Sequence, residues 1–182
     1  DNTKRYYFSG SGKITGNTTF VKRNTGKLVI ACDNDYKGGT RISGGSVEVS
    51  SLSNANQATG NLGAVSNIVT NFIIENGAEL ATTAAVQMGS PIRFETPEGG
   101  IITNKADFTM NKSFYGTKLT KAGTGWMKLN ASNSSLDTMV ITGGTVQCIS
   151  CAMAAKNVVF HNGSLLENTS SSYAIHVPAG KS

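Results

Sequence analysis

The sequence predicts an all-β chain wound into a parallel β-helix, or solenoid, of about eight coils, and three observations predict it. Apolar residues alternate over short runs, glycine-containing pairs punctuate those runs, and two distant segments keep the same side chains in register. The first two give strands and tight turns. The third decides the architecture, because a sandwich makes no demand that distant segments match, whereas stacked coils share one core environment.

The strands come first. Leu28 and Ile30 alternate, as do Ile42, Val47 and Val49 around a Gly pair, and Ile101 is paired with Thr103 further on. Period two over short runs means one buried face per strand. The turns follow from 21 Gly against 3 Pro, with Gly-Gly, Asn-Gly and Ser-Gly supplying the positive φ that tight turns need.

The repeat is read directly from the chain. Thr25-Gly26-Lys27-Leu28-Val29-Ile30 aligns with Thr124-Gly125-Trp126-Met127-Lys128-Leu129, and Thr40 to Val49 aligns with Met139 to Cys148. After a gap, Ile74-Glu75-Asn76-Gly77 answers Phe160-His161-Asn162-Gly163. The units therefore span about 20–80 and 119–168, and the first carries an insertion of about 51–63 that reads as a solvent-facing loop. With 182 residues and coils of about 20 to 25 residues, one domain about eight coils and roughly 40 Å long is expected. Uncovered end coils would be edge strands, so caps at Asp1 to Phe8 and Tyr173 to Ser182, or end-to-end association, are expected.

Two strings bring a family into view. Asn34-Asp35-Tyr36-Lys37-Gly38-Gly39-Thr40-Arg41-Ile42-Ser43-Gly44-Gly45-Ser46-Val47 resembles the passenger-associated transport repeat of autotransporters. Leu119-Thr120-Lys121-Ala122-Gly123-Thr124-Gly125-Trp126-Met127-Lys128-Leu129-Asn130 resembles the opening of the same repeat, in which Thr-Lys precedes Gly-x-Gly. Val21-Lys22-Arg23-Asn24-Thr25-Gly26 keeps part of that opening, while Ser134-Ser135-Leu136-Asp137-Thr138 departs from the Tyr and Gly-Gly pattern. The resemblance implies a right-handed parallel β-helix in an exported Gram-negative surface protein, a structural repeat with no catalytic residues to carry over.

Candidate chemistry is sparse. The two histidines, His161 and His176, have no Gly-x-Ser-x-Gly elbow to work with. Cys148-Ile149-Ser150-Cys151 has redox spacing, but Cys148 falls on an inward position and reads as a small buried hydrophobe. Asp33-Asn34-Asp35 reads as turn chemistry and not a calcium loop. The acids Glu48, Glu75, Glu79, Glu95, Glu98, Asp107, Asp137 and Glu167 fall singly along the chain. Polysaccharide chemistry needs paired acids, so the deciding feature is whether one sheet face gathers two acids with a Lys or Arg.

By alternation Trp126 and Lys128 point outward, and an exposed Trp on a rigid sheet suits a sugar ring or a protein partner. The net charge of +5 comes from Lys and Arg spread along the chain, without the basic stripe of a nucleic-acid binder. No segment has the apolar length of a membrane helix. The expected function is a structural or adhesive surface module, extracellular or at the cell surface, with carbohydrate or a host surface protein as partner. No catalytic residue, metal or cofactor is expected. The alternative is a polysaccharide-active β-helix enzyme.

Overall fold

A computed structural model describes residues 4–131, 134–149, 153–161 and 163–169. Strands and turns build it, and no helix occurs among the described residues. In chain order β1 (Arg5–Phe8), β2 (Phe20–Lys22), β3 (Lys27–Ile30), β4 (Thr40–Ile42) and β5 (Ser46–Val49) precede a long connection, residues 50–71. Then come β6 (Phe72–Glu75), β7 (Ala78–Thr82), β8 (Val86–Met88), β9 (Ile92–Glu95), β10 (Gly100–Asn104) and β11 (Phe108–Met110). Last are β12 (Phe114–Ala122), β13 (Trp126–Leu129), β14 (Ser134–Ile141), β15 (Gly144–Cys148), β16 (Met153–Phe160) and β17 (Ser164–Asn168).

The named strands pair in parallel with strands of neighbouring coils, and so build three faces. The first face stacks β2, β4, β6 and β9, then the leading halves of β12, β14 and β16. The second stacks β1, β3, β5, β7 and β10, then the trailing halves of the same three long strands. The third stacks β8, β11, β13, β15 and β17. One register column on the second face counts the levels: Arg5, Lys27, Ser46, Glu79, Ile101, Thr120, Val140 and Val159. The chain is thus a parallel β-solenoid of about eight turns.

The core follows from strand parity. Ile42, Ile74 and Phe94 stack fully buried on the first face, and Leu80 and Ile102 do so on the second. On the third, Phe108, Met127 and Val146 form the matching column. Burying an aliphatic side chain of this size contributes about 1.5–3 kcal/mol. In β10 the parity is the reverse of the sequence expectation: Ile102 is buried and Ile101 is half-buried, facing outward.

Three further expectations are corrected. The two repeat copies do not share faces. β3 lies on the second face while its sequence counterpart β13 lies on the third, so the second copy repeats the local geometry of the first turned by one face. The insertion of about 51–63 is a solvent-facing loop only at its tip, residues 55–58. Leu52, Ser53, Asn54, Asn61 and Leu62 are buried, and Gly89 N donates to Ser53 O beside β8. The inserted chain lies against the solenoid where β8 begins the third face. Nor do residues 4–8 form a cap, since β1 is an exposed strand paired on one side to β3. The second expected cap, Tyr173 to Ser182, lies outside the described residues.

Candidate functional site

The repeat residues meet at two stacked corners. In the first copy Lys22 ends β2 on an inward position, and its Nζ donates to Arg23 O and Asn24 O at 2.8 Å and to Gly44 O at 3.0 Å. In the second, Lys121 Nζ donates to Ala122 O at 2.8 Å and to Gly123 O and Gly143 O at 3.0 Å. Each ammonium therefore ties its own corner to the corner of the next coil. The second glycine of each Gly-Gly pair makes this approach possible. Gly45 and Gly144 have φ of 62° and 66°, and a Cβ there would fall 2.4 Å from Gly26 O and 2.5 Å from Gly125 O. Burial lowers the Lys22 amine and pushes Lys121, which is 0% exposed, down to about 8.

A second cluster lies on the outward side of the first face. Glu75 and Glu95 are register partners in β6 and β9, so the acids that look single in sequence are neighbours in space. Arg41 in β4 donates Nε and Nη2 to the two carboxylate oxygens of Glu75 at 2.8 and 2.6 Å, and Nη2 also reaches Glu95 at 2.9 Å. Arg93 Nε donates to the other oxygen of Glu95 at 3.0 Å, and Ser43 Oγ donates to Glu75 at 2.6 Å. The Arg41 guanidinium holds the Glu75 carboxyl below its usual range, against the opposing effect of burial. Two acids and two arginines on one face match the composition expected of a polysaccharide-active groove. Their chemistry differs, because Glu75 and Glu95 each give both oxygens to guanidinium donors.

The third face presents the residues singled out for ligand contact. Met127 and Leu129 are buried and Trp126 is 38% exposed, on the outward parity. Trp126 sits in register with Thr145 and Leu165, and beside it runs a column of Gln87, Thr109, Lys128, Gln147 and Glu167. Lys128 Nζ lies 2.5 Å from Asp107 Oδ2, which leaves its charge compensated. The result is a rigid outward strip of one indole, amides, hydroxyls and an ion pair.

These geometries can be set beside known families. The passenger-associated-transport-repeat family model matches residues 20–49 and 119–147. Those spans run from β2 through β5, and from the trailing half of β12 into β15. Each matched repeat thus contains one lysine corner, its Gly-x-Gly or Asn-x-Gly turn and the Gly-Gly turn stacked on it. The match implies a secreted or cell-surface bacterial protein. No curated protein and no solved structure matches the chain.

Beyond the lysine corners, the remaining candidates resolve into structural roles. Asn34 is buried, accepts from Ile14 N and donates to Cys32 O and Asn61 O, so Asp33-Asn34-Asp35 is built around an internal asparagine. Asp35 pairs with Lys13, and Asp33 accepts from Ser51. Cys148 is buried as expected, but it is disulfide-bonded and not a simple hydrophobe, while Cys32 is a free thiol. Ser150, Cys151 and His176 lie outside the described residues, and His161 is exposed in a turn closed by Ser164. Sequence reasoning gave no role to Lys22 or Lys121. The available signal was a lysine on inward parity, four residues before a glycine in both copies.

Proposed function

We propose that this chain is a non-catalytic structural module of an exported passenger protein, held at a Gram-negative outer surface, whose rigid third face engages carbohydrate or a host protein through Trp126. The observation that carries the non-catalytic reading is the state of the one acid cluster on the first face. A general acid must hold a proton near neutral pH and a base must have a free oxygen, whereas Glu75 is kept ionised and both its oxygens are taken by Arg41. The lysine corners support the same reading, since the repeat signature is spent on joining coils.

The second reading, a polysaccharide-active enzyme, rests on Glu75 and Glu95 standing in register with Arg41 and Arg93 alongside. One experiment separates the two. Release of reducing or unsaturated ends is measured on a panel of plant, host and bacterial polysaccharides, with and without calcium, for the wild type and for Glu75→Gln with Glu95→Gln. The structural reading expects no release from any of them. Release that disappears in the double variant would make the chain an enzyme. Binding to an immobilised glycan panel, lost in Trp126→Ala with the fold retained, is the expected result for the third face.

A further inference from the structure

The third face carries a chain of joined amides. Asn130 Nδ2 donates to Asn111 Oδ1 at 3.2 Å and Asn111 Nδ2 donates to Gln87 Oε1 at 3.2 Å, so side chains of three successive coils are linked on the outward side. The strand ladder sets this spacing, since Asn130 N donates to Met110 O and Asn111 N to Met88 O just beyond β13 and β11. A primary amide has two N–H donors and an oxygen with two lone pairs. Each link takes one donor and one acceptor, which leaves the row able to give and accept further bonds. Gln87 and Asn130 are exposed and Asn111 is half-buried, so a ligand can reach all three.

The indole belongs to the same strand as the last of these amides. Trp126 and Asn130 share outward parity four residues apart, about 13 Å along β13 and its continuation, with Lys128 between them. Asp107 neutralises Lys128, and Gln147 Nε2 donates to Glu167 at 3.3 Å. In the outward columns described for this face Lys128 is the single cation against these two acids, on a chain whose net charge is +5. The strip therefore offers an acidic ligand no complementary charge. What it offers is a row of groups that both give and accept hydrogen bonds, beside one aromatic plane. Carboxylates only accept and ammonium or guanidinium groups only donate, while a hydroxyl does both.

We propose that the third face binds an uncharged glycan, laid as a short run of rings along β13. This rests on the reading of the third face as the ligand face and names the ligand's class. One ring stacks on Trp126, and hydroxyls of the far ring bond the amides of Asn111 and Asn130. Because the amides already fix one another, little side-chain freedom is lost on binding.

Trp126 is the sole tryptophan of the chain, so its fluorescence reads this strip alone. The full chain is titrated with neutral oligosaccharides of glucan, mannan, galactan and xylan, and with oligogalacturonate and heparin fragments as acidic controls. A neutral series is expected to shift Trp126 emission to the blue and to shield it from acrylamide, with an affinity that high salt changes by less than about twofold. Asn111→Ala with Asn130→Ala keeps the indole as reporter and is expected to weaken binding about tenfold at unchanged circular dichroism. Asn130→Ala alone, on an exposed side chain, carries the same test if the pair disturbs the fold. An emission shift given only by the acidic fragments and lost at high salt overturns the uncharged ligand, and leaves the third face as the binding face. Neutral sugars that retard the wild type and Trp126→Ala equally in affinity electrophoresis, without any change at Trp126, overturn the third-face reading itself. Binding through Trp126 that ignores the asparagine substitutions, or no shift with any sugar, overturns the proposal.

Discussion

Lys121 occupies a place that its neighbours fill with apolar side chains. Leu28, Val47, Leu80 and Ile102 precede it in the inward column of the second face, and Ile141 follows. A buried ammonium is tolerated there because three carbonyl oxygens of two corners surround it, and those carbonyls would otherwise be short of donors. Lys121→Met keeps most of the stem and removes the donors, so it is expected to lower stability by about 1–3 kcal/mol in denaturant unfolding. Burial also fixes a pH signature. The folded amine titrates near 8 against 10.5 as the ordinary value, so between those limits the unfolded chain binds more protons and stability rises with pH. Wild-type stability is expected to increase from pH 8 to 10, and Lys121→Met to lose that increase. A wild-type curve that falls over this interval would show that the carbonyl cage, and not desolvation, governs the lysine.

The repeat of the corner was legible in sequence because it is local, with Lys, the turn glycine and the Gly pair at fixed spacing in both copies, but the lysine's role was not, since its carbonyl cage closes only when the next coil stacks on it. Which face each copy occupies was not legible, since that depends on coil length. Register partners are 19 to 22 residues apart along the second face except between Ser46 and Glu79, where they are 33 apart. The pairing of Glu75 with Glu95 was hidden for the same reason, being a coil's length apart on a face whose phase the sequence did not reveal. The extra residues of the long coil also misled by composition. Ser, Asn and Gly suggest a loop in water, yet Asn61 is 2% exposed and acts as an internal clamp. Its Oδ1 accepts from Ser50 N at 2.8 Å and Ser51 N at 2.9 Å, and its Nδ2 donates to Cys32 O at 3.1 Å. Asn61→Ala leaves the Ser50 and Ser51 amides without this partner in a part-buried place and is expected to cost about 1–2 kcal/mol. Thermal unfolding that is unchanged in this variant would mean the insertion is not integral to the rod.

A stacked molecule is held by contacts between adjacent coils, so its stability is distributed along the axis and need not be uniform. The central coils bury their columns completely: Ile74, Phe94, Ile102, Phe108, Phe114 and Leu119 are all at most 1% exposed, and the Phe94 and Phe114 rings meet edge to face. At the β1 end the inward residues Tyr6 and Phe8 remain about half exposed, and among the described strands β1 pairs with β3 only. Hydrogen exchange is therefore expected to be slowest for amides of β7, β10 and β12, and fastest in β1, with protection falling outward from the middle of the rod. Uniform protection from β1 to β12 would instead mean that the rod opens as one cooperative unit, with β1 as firmly built as the centre.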